Sequence, residues 1–460
     1  MLEADRGQDA VAILITDKAG FDTWRTTLTP RQRASVEAQG LKAEGYAHAI
    51  VPDDTGERWS VVAVVTNAAK LSSWCLSKLP RALPPGRYRL TAGASPGAAM
   101  FGWLTAQHRF NRYRKPKAGE AERPRILVTP DVARIEEVQR EAAAVLMVRD
   151  LVDTPASDCG PEEIEAAARS LGLAYRAQVD VLRGEALERE APMIAAVGRA
   201  AARERAPRLV ELNWGKDTHP RVALVGKGVT FDTGGLDLKP AAAMGLMKKD
   251  MGGAAHALAL ARLVMEARLP VRLHLLLPLA ENAVGGAAMR PGDVLTSAKG
   301  TTVEVDNTDA EGRLILADAI TRACAGRPEL LIDFATLTGA ARVALGPDLP
   351  PLFANDDTLA EALLAAGSER DDPLWRMPLW EGYRDMLKAQ VADITNSPSG
   401  GFAGAVTAAL FLQHFVEEGV AWAHVDTFAW NPNDRPGRPK GGAALGLRAA
   451  WGMLSARYPR

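Results

Sequence analysis

Residues 306–313 read Asp-Asn-Thr-Asp-Ala-Glu-Gly-Arg and place Asp309, Glu311 and Arg313 at two-residue intervals. If the run is extended, residues i, i+2 and i+4 line one face, so two acids and a guanidinium point into one space. Acids that close repel one another unless a strong positive charge sits between them, and a divalent cation supplies it. The apolar run that follows, from Leu314 to Ile320, has helical character, so the acids fall where a polar strand end feeds a helix. A second segment, 225–253, follows the apolar run Val222–Val225 and spreads Lys227, Asp232, Lys239 and Asp250 through a glycine-rich loop. Glycines let the backbone turn and approach a ligand closely. Asp250 precedes a strongly helical stretch, which places it near a helix N-terminus.

Asp232, Asp250, Asp309 and Glu311 carry four negative charges, enough to neutralise two divalent ions. Oxygen-rich sites suit Mg, Mn and Zn, and paired ions are a recurrent device for hydrolysis. No histidine lies inside either segment, so a histidine-rich zinc site of the H-E-x-x-H type is excluded. Two other motifs fail on chemistry. Gly93-Ala94-Ser95-Pro96-Gly97 has the pattern of a serine nucleophile elbow, but Pro96 lacks the N–H that the oxyanion needs. Gly226-Lys227-Gly228 lacks both the hydroxyl residue and the upstream glycine of a phosphate-binding loop.

The stretches 307–320, 226–235 and 248–255, together with the 5-, 7- and 11-residue steps from Lys227 to Asp232, Lys239 and Asp250, resemble the leucyl aminopeptidase (cytosol aminopeptidase) family. The resemblance spans roughly residues 130–450, with further matches at 153–161, 335–340, 392–397, 404–412 and 422–426, and is weak over the first ~125 residues. It implies a peptidase that releases N-terminal, leucine-like residues from peptides with a water activated by two metal ions, Mn or Zn. Asp232, Asp309 and Glu311 then hold one ion and Lys227, Asp232, Asp250 and Glu311 the other, with Asp232 and Glu311 shared. Lys227 must be neutral to donate a lone pair, and adjacent dications would depress its pKa. The resemblance further assigns Lys239 to the developing oxyanion, Arg313 to a bicarbonate that shuttles a proton, and Met247, Thr336 and Leu337 to the substrate's first residue. It also implies a homohexamer. Some bacterial family members bind DNA, which offers a regulatory role as the alternative.

The elements that position these residues follow from the rest of the chain. Its 460 residues exceed one ordinary core. The expected fold is α/β: a small N-terminal α/β domain over 1–128, a linking helix over 129–152, and a larger catalytic domain over 153–460. The alternation of strand and helix after residue 160 predicts a central, mostly parallel sheet covered by helices. Strands are expected at 10–16, 60–66, 221–226, 270–279, 302–306, 329–335 and 420–427. Helices are expected at 161–171, 253–268, 312–325, 358–367 and 404–418. The glycine-rich run 397–404 reads as a substrate-pocket or subunit loop. The acidic start lacks a signal core, no apolar run approaches membrane-spanning length, and Cys75, Cys159 and Cys324 lack metal spacing. These features predict a cytoplasmic protein without membrane contact. Residues 1–128 hold 19 basic against 12 acidic side chains, with one cluster at Arg109, Arg112, Arg114, Lys115 and Lys117. That excess predicts weak nucleic-acid binding at most.

Overall fold

The computed structural model describes residues 1–115, 124–398 and 400–460. The chain forms two compact units, Met1–Leu146 with Asn433–Lys440, and Met147–Pro432 with Gly441–Arg460. Lys117 of the basic cluster, most of the 115–124 segment and Ser399 of the 397–404 loop lie outside the described residues.

The first unit contains a six-stranded sheet in the order Leu2–Ala4, Arg125–Thr129, Gly86–Leu90, Val11–Thr16, Trp59–Val64, His48–Pro52. Its pairings are parallel except at the His48–Pro52 edge. The strands expected near 10–16 and 60–66 lie fourth and fifth in this order, and the remaining four are shorter, of three to five residues. Arg109, Arg112, Arg114 and Lys115 are exposed.

The second unit is built on a sheet running Trp375–Arg376, Pro351–Ala354, Ala421–Asp426, Leu330–Ala335, Arg221–Gly226, Arg272–Asn282, Arg208–Trp214, Gln178–Leu182. Its centre is parallel, and antiparallel pairings lie toward both ends. The central strands Leu330–Ala335 and Arg221–Gly226 are apolar nearly throughout and buried, as strands covered on both faces require. Helices Gly252–Glu266 and Glu311–Ala325 are themselves almost wholly buried. Two glycines let the first of them approach the sheet: a Cβ on Gly253 would meet the Phe334 carbonyl oxygen at 2.2 Å, and one on Gly226 the Ala254 Cα at 2.6 Å.

Thr302–Glu304 belongs to a separate three-stranded sheet with Val294–Thr296 and Ile394–Thr395. The extended geometry expected for 306–313 is not adopted. The Asp309 N–H donates to the Asn307 side-chain oxygen (2.8 Å) and the Ala310 N–H to the Asn307 carbonyl (3.1 Å), which makes a turn. Glu311 then opens the buried helix. Among the described residues, no helix is long and apolar enough to cross a membrane.

Candidate metal centre

Three junctions at one end of the central strands supply the site. Lys227 lies between strand Arg221–Gly226 and strand Gly228–Asp232, with its main-chain N–H on the Phe334 carbonyl (3.0 Å). The second strand pairs with Arg272–Asn282 and ends on Asp232. Asp250 sits in a 3-10 turn, Met247–Met251, that leads into helix Gly252–Glu266. The Asn307 turn and the first residue of the next helix carry Asp309 and Glu311.

The side chains converge. Asp232, Asp309 and Glu311 each offer a carboxylate oxygen within 4.8 Å of the others. Lys227 Nζ donates to Asp250 Oδ2 (2.7 Å) and the Thr336 carbonyl (2.9 Å), and pairs with Glu311 Oε1 (3.2 Å). Lys239 Nζ pairs with Asp232 Oδ2 (2.8 Å) and with Asp309. Asp232 is held from its other side by Asn282 Nδ2 (2.8 Å) and the Gly234 N–H (2.9 Å). The Thr336 hydroxyl donates to Asp250 Oδ1 (2.8 Å), which fixes that carboxylate.

Electrostatics show that the acids crowd one another. Burial and then the Asp232 charge push Glu311 up to about 8, and the same pair of causes pushes Asp309 up to about 6. Burial pulls the Lys227 ammonium down, but Asp250, Glu311 and Asp232 outweigh it and hold its pKa well above the ordinary lysine range. Lys239 is raised in the same way, chiefly by Asp232 against burial. Glu311 Oε2 is buried with no hydrogen-bond partner. A buried carboxylate oxygen without a hydrogen-bond partner, on one of three clustered acids, suits a hard cation.

These groups line a cavity of about 540 Å³ that also exposes Met247, Thr336, Leu337 and Arg313. Every site residue expected from the sequence therefore borders one space. Arg313 Nη1 donates to the Asn396 carbonyl (2.7 Å), whereas its Nε is buried without a partner. Burial lowers the Arg313 guanidinium to about 10. An unpartnered guanidinium N–H on a residue that lines a polar cavity suits a small oxyanion.

The chain matches the cytosol aminopeptidase family, catalytic domain, over residues 146–450. It belongs to that family. Residues 11–124 match the M17 aminopeptidase N-terminal domain. The chain is 42% identical over 383 residues to a probable cytosol aminopeptidase of Desulfovibrio desulfuricans, covering 80% of this chain and 75% of that one. Among solved structures it resembles the cytosol aminopeptidase of Coxiella burnetii, with a TM-score of 0.93, 44% identity and 99% of each chain covered. A bottromycin maturation enzyme in complex with Mn is similar at a TM-score of 0.87, 33% identity, and coverage of 98% of this chain and 100% of that one. This family member is thus an aminopeptidase, a hydrolase, with a cluster of acids able to hold metal.

Several groups at this aminopeptidase's site escaped the sequence reading. Asn282 orients Asp232, and Thr336, expected from the sequence at the substrate, also holds Asp250. Lys249, adjacent to Asp250, is buried and stands 4.9 Å from the Phe428 ring centroid. Burial lowers Lys249 to about 8. Arg342, Asp426 and Phe428 complete that wall of the cavity. The only available signal was the tandem Lys248-Lys249, whose two side chains part: Lys248 Nζ reaches the Asp153 carbonyl (2.5 Å).

Proposed function

We propose that the protein removes single N-terminal residues from peptides with two divalent ions, Mn or Zn, held by the acidic cluster. The observation that carries this reading is the convergence of Asp232, Asp309 and Glu311, with Glu311 Oε2 buried and left without a hydrogen-bond partner. Asp232, Asp309 and Glu311 would hold one ion, and Lys227, Asp232, Asp250 and Glu311 the second. When bound, such a pair supplies Lewis acidity that brings a water toward ionisation at neutral pH and accepts the substrate's free α-amino group.

The chain's own residues do the rest. Lys239, half-buried beside Asp232 and Asp309, places positive charge where the peptide carbonyl oxygen gains negative charge. Arg313, through its unpartnered Nε, would hold a bicarbonate, the group that supplies proton transfer toward the leaving amine. Asn282 and Thr336 keep Asp232 and Asp250 in place. Met247 and Leu337 give the pocket an apolar wall for a leucine-like side chain. In this reading the catalytic domain spans 153–460, residues 1–128 and the linking helix 129–152 serve assembly, and the protein works as a cytoplasmic homohexamer with little affinity for nucleic acid.

The test is hydrolysis of aminoacyl-anilides, with free and N-acetylated amino groups, after metal removal and reloading with Mn or Zn. Activity should follow metal and require the free amine. Full activity in a preparation shown metal-free by elemental analysis, or equal cleavage of N-acetylated substrates, would remove the reading.

A further inference from the structure

We propose that the substrate cavity contains a carboxylate-recognising subsite, formed by Lys249 and Arg342 around Phe428, so that N-terminal Glu and Asp residues are taken in preference to Gln and Asn. This rests on the aminopeptidase reading of the same cavity and assigns its side-chain specificity.

Lys249 is 5% exposed. Among the described residues its Nζ has no hydrogen-bond or ion-pair partner, and its contact is the Phe428 ring at 4.9 Å. Arg342 Cζ lies 5.6 Å from the same ring. Arg342 Nη2 is engaged by Asp426, at the main-chain carbonyl and at Oδ1 (3.0 Å), while its Nη1 is buried without a partner. Asp250, its neighbour in sequence, and Asp426, the partner of Arg342, are already occupied. Asp250 serves Lys227 and the Thr336 hydroxyl. Asp426 accepts the Leu337 N–H (3.1 Å), the Thr338 N–H (3.4 Å) and the Thr338 hydroxyl (2.6 Å) as well as Arg342.

Buried Lys249 and partly buried Arg342, each with a spare donor, therefore border the cavity that holds Asp232, Asp309 and Glu311. A buried charge without a partner is costly, and the ring faces of Phe428 compensate only in part. A carboxylate arriving with the substrate completes the set. Its source follows from position. Met247, along the substrate's first side chain in the reading above, is on the same turn as Lys249. A Glu or Asp side chain running over Met247 would be drawn toward the Lys249 and Arg342 cations that flank the Phe428 ring. Aliphatic side chains still find the apolar wall, so leucine-like substrates remain acceptable.

The experiment compares kcat/KM for Glu-, Gln-, Asp-, Asn- and Leu-anilides in the metal-loaded full-length protein and in Lys249→Met and Arg342→Met. Met keeps the length of the lysine stem without its charge, and the second variant probes the same subsite from another element. The expected parent preference for Glu over Gln is about 10- to 100-fold, the usual worth of a hydrogen bond to a charged group, and each variant should bring that ratio toward one. A parent ratio near one, or a ratio unchanged in both variants, overturns the subsite. A parallel pair, Leu-Gly and its C-terminal amide, tests the other carboxylate in a short peptide. A Lys249→Met loss confined to Leu-Gly overturns the side-chain assignment. If no anilide is cleaved, the aminopeptidase reading fails separately, and calorimetric titration with L-glutamate and L-glutamine decides the subsite: tighter glutamate binding that Lys249→Met abolishes sustains it, and equal binding overturns it.

Discussion

Lys227 packs so closely on Gly312 that a methyl group there would come within 2.2 Å of Lys227 Cε and 2.7 Å of its Nζ. The glycine after Glu311 is thus the floor on which the lysine lies, and helix Glu311–Ala325 positions both an acid and an amine. Gly312→Ala should fold, because the far end of the lysine can move, but the amine will leave its place between Asp250 and Glu311. We expect metal affinity or activity to fall by about 10- to 100-fold, as for losses of support to a metal ligand. Two ions per chain with unchanged kcat/KM would show that Lys227 does not need that position.

Asp250 and Glu311 are expected to be required for metal rather than for folding. Asp250→Ala removes the partner of Lys227 and Thr336, and Glu311→Ala removes the carboxylate with the unpartnered oxygen. Each variant should keep the far-UV circular dichroism of the parent and lose at least one ion by elemental analysis. Retention of two tightly bound ions in either variant would take that residue out of the ligand set.

Lys239→Ala should lower kcat by about 100-fold or more, the usual cost of losing a donor to a developing oxyanion. The same change removes a counter-charge from Asp232 and Asp309, so metal content must be measured alongside. Normal kcat at full metal occupancy would show that Lys239 is only a counter-ion.

The chain announces its central strands through apolar runs, and the structure has them; its acids, read as one face of an extended run, meet instead around a turn. Strand Arg208–Trp214 was hidden because charged residues interrupt it. Its Arg208 is buried on Glu165 (2.8 Å), and its Glu211 is held by His274 (2.8 Å) and Arg322 (2.6 Å). Partners that lie 43 to 111 residues away make those charges tolerable inside, and local pattern carries no trace of them. The 306–313 run fails as a strand for the opposite reason: one local contact, from Asp309 to the Asn307 side chain, overrides alternation. Lys249 and Arg342 were invisible because their shared surroundings, Phe428 and Asp426, come from a third segment of sequence.

His256 gives a stability prediction separate from the metal chemistry. It is fully buried in helix Gly252–Glu266, and both ring nitrogens are satisfied in one neutral tautomer. Nδ1–H donates to the Gly252 carbonyl (2.6 Å), and Nε2 accepts the Leu445 N–H (3.0 Å). Protonating Nε2 would set two donors, Nε2–H and the Leu445 N–H, against each other. Burial accordingly lowers the His256 pKa from its ordinary value to about 4. Because the folded pKa lies below the unfolded one, this contribution is full above pH 6.5 and is lost as pH falls from there toward 4. Between pH 7.5 and 5 the loss should be roughly 2 kcal/mol. His256→Gln removes the titration, so the parent's advantage in thermal midpoint over that variant should shrink as pH falls through this window. An advantage that stays constant from pH 7.5 to 5 would mean that His256 does not change protonation on unfolding.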